Sequence, residues 1–312
     1  MKVLFFIEFV TILLQNEKLS NFFDFYPFLE NILTLDVALF VLISCGALAG
    51  LLNGWLGLGG MSIFMPLLIW VAHHGGWGPD PAVPLMLWIV ANSIGVMFLN
   101  GLVSVSQYAR DGMIEKSAIT WTAPFAVIGA IVGISLALLS GVIGEADKIF
   151  GGYLILIGLF VFLDRSNQKV YVQPGVGTKI TVGSICGFAA GLIGFNGNSL
   201  LIPAMKHSGL CSKSSIATSQ VIGLFVSLAL LLTFFGYSAV KILPVFNLPL
   251  ILVLGVSSSI FSWVGAYLKK KMSTSWVTVA LSICYIIAGA NLVLEGTRIF
   301  LPEENQKNIK VI

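Results

Sequence analysis

The chain predicts an all-α polytopic membrane protein made of two inverted-topology repeats. Each repeat is a glycine-broken helix pair plus three transmembrane helices. Composition, a duplicated glycine pattern and the sorting of loop charge carry this prediction. Of 312 residues, 57% are hydrophobic and 10% are charged, and mean hydropathy is +0.96. A soluble domain carries about 25% charged residues. Residues 37–79, 81–109, 117–144, 180–205, 214–240, 242–268 and 272–294 contain no Asp, Glu, Lys or Arg. A helical span needs about 20 mainly apolar residues, and each window provides them. Period-two alternation is absent, which favours helices over barrel strands.

The elements follow in order. Residues 1–35 hold an apolar run, Val3 to Leu14, that is too short to span easily. It reads as an interfacial or short extra helix, with a cleaved signal less favoured. The first repeat, 36–163, places spans at 36–58, 82–104, 117–140 and 147–163, with a short helix at 61–74. The last span is brief but flanked by Lys148 and by Asp164-Arg165, which can snorkel. A cytoplasmic linker occupies 164–178. The second repeat, 179–295, places spans at 179–195, 214–237, 243–267 and 274–294, with a short helix at 198–208. A polar tail, 296–312, ends the chain.

The duplicated pattern begins at Gly46 and Gly183. Gly46, Gly50, Gly54, Gly57, Gly60, Ser62 and Pro66 align without a gap on Gly183, Gly187, Gly191, Gly194, Gly197, Ser199 and Pro203. An internal repeat in a membrane protein is the mark of a transporter with its site where broken helices meet. Gly46, Gly50 and Gly54 are spaced by four, as are Gly183, Gly187 and Gly191. Each set therefore lines one helix face and lets another backbone come close.

Charge supplies the inversion. Arg110 with Lys116, Arg165 with Lys169 and Lys179, Lys206 with Lys213, and Lys269–Lys271 mark four loops. The positive-inside rule places these four in the cytoplasm. The loop from His73 to Asp80 has no lysine or arginine and belongs outside. The first short helix thus leads outward and the second inward. Each glycine helix with its short helix must then make an even number of crossings, as two spans or as a re-entrant hairpin.

The breaks carry the candidate chemistry. Gly57, Gly59 and Gly60, and Gly194, Asn196 and Gly197 with Asn198, disfavour continuous helix. Irregular backbone at membrane depth is tolerated only against protein or a watery cavity. A helix starting near Met61 or Asn198 presents unbonded N–H groups and a positive dipole end, which suits an anion. Ser62 and Ser199 add hydroxyls in the first turn. Pro66 and Pro203 kink the helix or release a carbonyl. The two starts are expected to face each other near the midplane. No Lys, Arg, Asp or Glu lies inside the charge-free windows, so a buried carboxylate relay is disfavoured. Neutral groups must hold the ligand. The expected substrate-binding residues are Asn53, Gly59, Gly60, Met61, Ser62, Asn196, Gly197, Asn198, Ser199, Thr218, Ser219 and Gln220, with Asn92 and Ser93 as further candidates. Gly57, Pro66, Gly194 and Pro203 are the expected helix-break or gating residues.

The remaining special residues read as structural. Cys45, Cys186, Cys211 and Cys284 match no metal or CxxC spacing and read as small apolar side chains. His73, His74 and His207 read as interfacial polar residues, with a gating role secondary. No catalytic residue, metal or cofactor is expected. The net charge of +3 comes from loop residues and does not imply a nucleic-acid partner.

At the glycine motifs the chain resembles the TauE/SafE family of sulfite and organosulfonate exporters. Asn53 through Gly60 to Pro66, and Gly191 through Gly197 to Pro203, carry the resemblance, with Asn196 where glycine is common. Ala217-Thr218-Ser219 fits a family Thr-Ser stretch in the second half, whereas Ala82 to Met86 lacks it in the first. That departure favours the second half as the polar contributor. The resemblance covers roughly residues 36–295. It implies export of a small anion such as sulfite, sulfoacetate or a related sulfonate from a multi-pass cell-membrane location. The partners it implies are the anion and the bilayer, with a homodimer left open. A membrane enzyme or a scaffold subunit is the competing reading.

Overall fold

A computed structural model describes residues 27–56, 78–80, 83–140, 146–163, 175–194, 197–241 and 245–271, with helical positions scattered through 64–72 and 279–294. Among the described residues all regular structure is helical. The chain divides into two compact units, Met1–Val41 and Leu42–Ile312. In the first, the described residues are helical from Pro27 onward. The apolar run Val3 to Leu14 lies outside the described residues.

In the second unit α1 (Pro27–Leu56) ends and the elements continue as α2 (Leu85–Arg110), α3 (Lys116–Ser140), α4 (Ala146–Leu163) and α5 (Val176–Ile193). They are followed by α6 (Asn198–His207), α7 (Ser212–Lys241) and α8 (Leu248–Lys271). Helices α2, α3, α5, α7 and α8 are long and apolar enough to cross a membrane. Phe64, Leu67, Leu68 and Val71 in the first short-helix region are helical and buried.

Three boundaries differ from expectation for local reasons. Helix α1 starts at Pro27, not at 36. Proline is favoured at a first helical position, where its missing N–H is not needed. Helix α2 starts at Leu85 because Pro84 caps it with φ −55° and ψ 131°, outside helical geometry. Helix α8 starts at Leu248, not at 243. Asn247 caps it by accepting the Leu250 N–H at 3.2 Å, the usual role of asparagine at this position.

The duplicated glycines set the packing. A Cβ added to Gly50 or Gly54 would overlap the carbonyl oxygen of Ser258 or Ser262 on α8. A Cβ added to Gly187 or Gly191 would overlap that of Ala126 or Ala130 on α3. The partner helices reciprocate, with Gly265 against the Leu51 carbonyl and Gly133 against the Phe188 carbonyl. Both pairs run parallel, since contacts advance together along the two chains. Each half's glycine helix therefore docks on a helix of the other half.

Charge and core agree at one end of this unit. Tyr108, Ile202, Ile216, Ala217 and Ala266 form a buried cluster against which Met113 and Ile114 pack. The cluster joins the last turns of α2 and α8, the first turns of α7, the middle of α6 and the α2–α3 turn. Arg110, Lys116, Lys206, Lys213 and Lys269–Lys271 are the basic residues bordering those segments. They thus border one end of these helices.

Candidate functional site

The second glycine helix breaks between α5 and α6. Gly194 follows α5 in the left-handed region, with φ 81°, and its N–H donates to the Ala190 carbonyl at 2.8 Å. Gly197 precedes α6 at φ 73°. Left-handed backbone costs an ordinary L-residue about 1–2 kcal/mol, so two glycines here let the chain reverse. Leu200 and Leu201 both donate their N–H groups to the Gly197 carbonyl at 3.1 Å. Helix α6 has 10 residues. At 1.5 Å per residue it is about 15 Å long, half of a ~30 Å hydrocarbon core. Helices α5 and α6 therefore form a hairpin with unequal arms rather than two spans. Pro203, inside α6, removes the N–H that would bond to the Ser199 carbonyl.

The start of α6 lies deep in the helices. Asn198 is fully buried, and its amide lies where a side chain at Gly223 would stand. Gly223 is roughly 16 Å along α7 from Ser212 at 1.5 Å per residue, about mid-depth. Ser199, the next residue, is also buried. By contrast, the end of α5 is off-centre, because Gly194 abuts Val90 in the second turn of α2. The end of α1 is at the other end of α2, where the Tyr108 hydroxyl donates to the Gly54 carbonyl at 2.6 Å. Val90 and Tyr108 are about 27 Å apart along the α2 axis.

The other expected residues divide by partner. The Gln220 amide donates to the Asn53 oxygen at 3.0 Å, joining α7 to α1. Both side chains are buried. The Ser219 hydroxyl donates to the Ile216 carbonyl at 2.9 Å. The Thr218 hydroxyl accepts the Glu115 N–H at 3.0 Å, so it anchors the start of α3. Gly57, Gly59, Gly60, Met61, Ser62, Pro66 and Asn196 lie outside the described residues. Among the described residues there is no group of three or more His, Cys, Asp or Glu able to hold a metal ion.

Lys179, the first residue of the expected 179–195 span, lies in the first turn of α5 and is buried. Its ammonium donates to the Ser117 hydroxyl at 3.5 Å, while its stem covers apolar surface.

The profile of the sulfite exporter TauE/SafE family matches residues 42–292. The chain belongs to the TauE/SafE family. It is similar to a "Probable membrane transporter protein" of Haemophilus influenzae, 24% identical over 262 residues, covering 80% of this chain and 96% of that one. A protein of the same description from Methanocaldococcus jannaschii is 24% identical over 271 residues, covering 81% and 95%. A third, from Bacillus subtilis, is 26% identical over 282 residues, covering 82% and 97%. With these relatives and its apolar helices, this TauE/SafE chain is a multi-pass membrane transporter.

The anchoring role of Thr218 in this TauE/SafE chain recurs on α2. Ala82 to Met86 precedes or opens α2. Asn92, further along α2, makes a bond of the same kind. Asn92 accepts the Asn247 N–H at 2.8 Å, one residue before α8, as Thr218 accepts that of Glu115, one residue before α3. Asn92 also donates to the carbonyls of Trp88, at 2.7 Å, and Val245, at 3.0 Å. Ser93, fully buried, has a hydroxyl with no hydrogen-bond partner among the described residues. Sequence reasoning missed Tyr108, whose hydroxyl ties α2 to the Gly54 carbonyl. Its sequence signal was a hydroxyl-bearing aromatic inside an apolar window.

Proposed function

We propose that the chain is a secondary transporter that exports a small anion, with sulfite, sulfoacetate and related sulfonates as the favoured substrates. It works by alternating access around a site at the starts of its two short helices, within two inverted-topology repeats. One observation supports this above the others. Helix α6 starts at mid-depth, at the fully buried Asn198, after two left-handed glycine turns at Gly194 and Gly197. A helix beginning there directs N–H groups and a positive dipole end into a low-dielectric interior, where an anion is otherwise costly.

The inverted repeat draws support from reciprocity. Helix α1 docks on α8 as α5 docks on α3, and Asn92 anchors α8 as Thr218 anchors α3. The site would be formed by Asn198, Ser199 and Ser219 with backbone around Gly197, and by the matching residues Gly59, Gly60, Met61 and Ser62. Asn196 would add an amide at the second break. Asn53 and Gln220 would support the wall by holding each other.

Flux measures this directly. The purified chain in liposomes loaded with sulfite should release it faster than empty liposomes do, and a membrane enzyme or a scaffold subunit should not. Absence of flux for both sulfite and sulfoacetate would overturn the reading.

A further inference from the structure

Helix α2 carries a row of polar side chains into the interior. At 3.6 residues per turn, Ser93, Asn100 and Gln107 fall within about 60° of Ser104 around the helix axis. All four are buried, while Leu102, on the opposite side of α2, is exposed. The Ser104 hydroxyl donates to the Asn100 carbonyl at 2.9 Å. It also lies 2.7 Å from the Ser262 hydroxyl of α8, within a hydrogen bond. Helix α1 reaches the same place, because Gly54 packs on the Ser262 carbonyl. Its neighbour Asn53 accepts from Gln220 of α7. Leu224 of α7 packs on Gly101, and the residue before it, Gly223, abuts the Asn198 amide. Asn100 therefore lies near the depth at which α6 starts. Ser104 and Gln107 are about 6 and 10 Å further along α2 at 1.5 Å per residue, towards Arg110 in its last turn. The row is uncompensated at both ends. The Ser93 hydroxyl, fully buried, and the side-chain oxygen of Gln107, 9% exposed, have no hydrogen-bond partner among the described residues.

We infer that Asn100, Ser104 and Gln107 line the passage of a small oxyanion between the start of α6 and the basic end of the helices, and that the Ser104–Ser262 bond closes it in this structure. This rests on the anion-transport reading above and names the side chains that would carry the ligand to the site. Helix packing does not require such a row, since the seams at Gly50 and Gly187 are made by glycine against backbone. A buried polar atom without a partner costs about 1–3 kcal/mol, and a ligand or water in an open passage removes that cost. Hydroxyl and amide N–H groups are neutral donors. They bind an anionic oxygen by charge-assisted bonds without the cost of a buried cation. Set a turn apart, they can pass an anion on rather than trap it. Ser104 belongs to one half and Ser262 to the other, as do Asn53 and Gln220. Rocking of one half against the other would part the serines and turn their hydroxyls to the ligand.

The test uses the full chain in proteoliposomes and has two arms. In the first, Ser104→Cys and Ser262→Cys are combined and the pair is oxidised with copper phenanthroline. Sulfite efflux should fall at least about tenfold, because a disulfide that holds one state removes the other from the cycle. Dithiothreitol should restore it, and oxidation should leave efflux by either single variant unchanged. A disulfide that forms fully and leaves efflux intact overturns the inference. In the second arm, Asn100→Cys, Gln107→Cys and Leu102→Cys are exposed separately to an anionic methanethiosulfonate. Modification is read by mass spectrometry of the peptide that carries each position, so the native cysteines do not interfere. Positions 100 and 107 should react, more slowly when sulfite is present, and position 102 should not. This arm decides by itself if the serine positions do not cross-link. If positions 100 and 107 are as inert as 102, or react at a rate that sulfite does not change, the row serves packing alone. The inference then fails while efflux by the parent keeps the transport reading standing. If the parent moves neither sulfite nor sulfoacetate, the transport reading fails and the inference falls with it.

Discussion

The Gln220 side-chain amide donates to the Asn53 side-chain oxygen over 3.0 Å, joining the glycine helix of one half to a helix of the other inside a buried wall. Removing one partner strands a buried polar group, at about 1–3 kcal/mol. Asn53→Ala and Gln220→Ala should each lower stability by that amount. The double variant should lose less than the sum, by about 0.5–1.5 kcal/mol. Thermal unfolding of the four proteins in one detergent checks it. Strict additivity would mean that the pair does not form.

The glycine seams should tolerate almost no side chain. Gly50→Ala and Gly187→Ala each direct a methyl group into a backbone carbonyl of the facing helix. Overpacking of this kind typically costs about 1–3 kcal/mol and occasionally more, and here the obstacle is backbone that cannot change rotamer. Gly177→Ala meets nothing within contact range and should match the parent. Yield of monodisperse protein and melting temperature separate the two classes.

Gly223 is expected to control the start of α6. A methyl group there takes the place of the Asn198 amide oxygen. Gly223→Ala should therefore weaken sulfite binding several-fold through displacement of Asn198. Asn198→Ala should weaken it similarly with the glycine intact. Sulfite-dependent thermal shift reads affinity and stability together. Equal affinity in both folded variants would place the ligand elsewhere.

The two anchoring bonds differ in number, and stability should follow. Asn92 makes three hydrogen bonds, to Trp88, Val245 and Asn247. Thr218 accepts one, from Glu115. At about 1 kcal/mol for each net bond, Asn92→Leu should cost roughly 3 kcal/mol and Thr218→Val roughly 1 kcal/mol. A larger loss for Thr218→Val in chemical unfolding would contradict this accounting.

Sidedness follows from the cluster of basic ends. Single cysteines introduced at Arg165 and Lys270 should react with an impermeant maleimide only after the cells are opened. One at Gly76 should react in intact cells. Labelling of Gly76→Cys from the cytoplasm alone would remove the inverted topology.

Sequence located the second break to within a residue or two, because glycine spacing and a short polar run act locally. The same local reasoning found no Thr-Ser pair in the first half, and it could not show that Asn92 makes a bond like that of Thr218. Both residues do one job, taking an N–H from the residue before a helix. Any acceptor of the right reach can do that. Thr218 shows the opposite limit. Its hydroxyl looked available for a ligand but is turned to Glu115, a residue distant in sequence.

Composition and charge by themselves determined that this chain lives in a membrane, which segments become helices and where one of them breaks. Those properties arise from transfer free energy and backbone preference, each set over a few residues. Tertiary structure alone decided which helix meets each glycine face. Gly50 and Gly187 look equivalent in sequence, yet the first meets Ser258 and the second Ala126, each across the boundary between halves. It also decided that Asn53 pairs with Gln220. A glycine stripe shows only that some backbone can come close. Which backbone does so depends on how all the helices pack together.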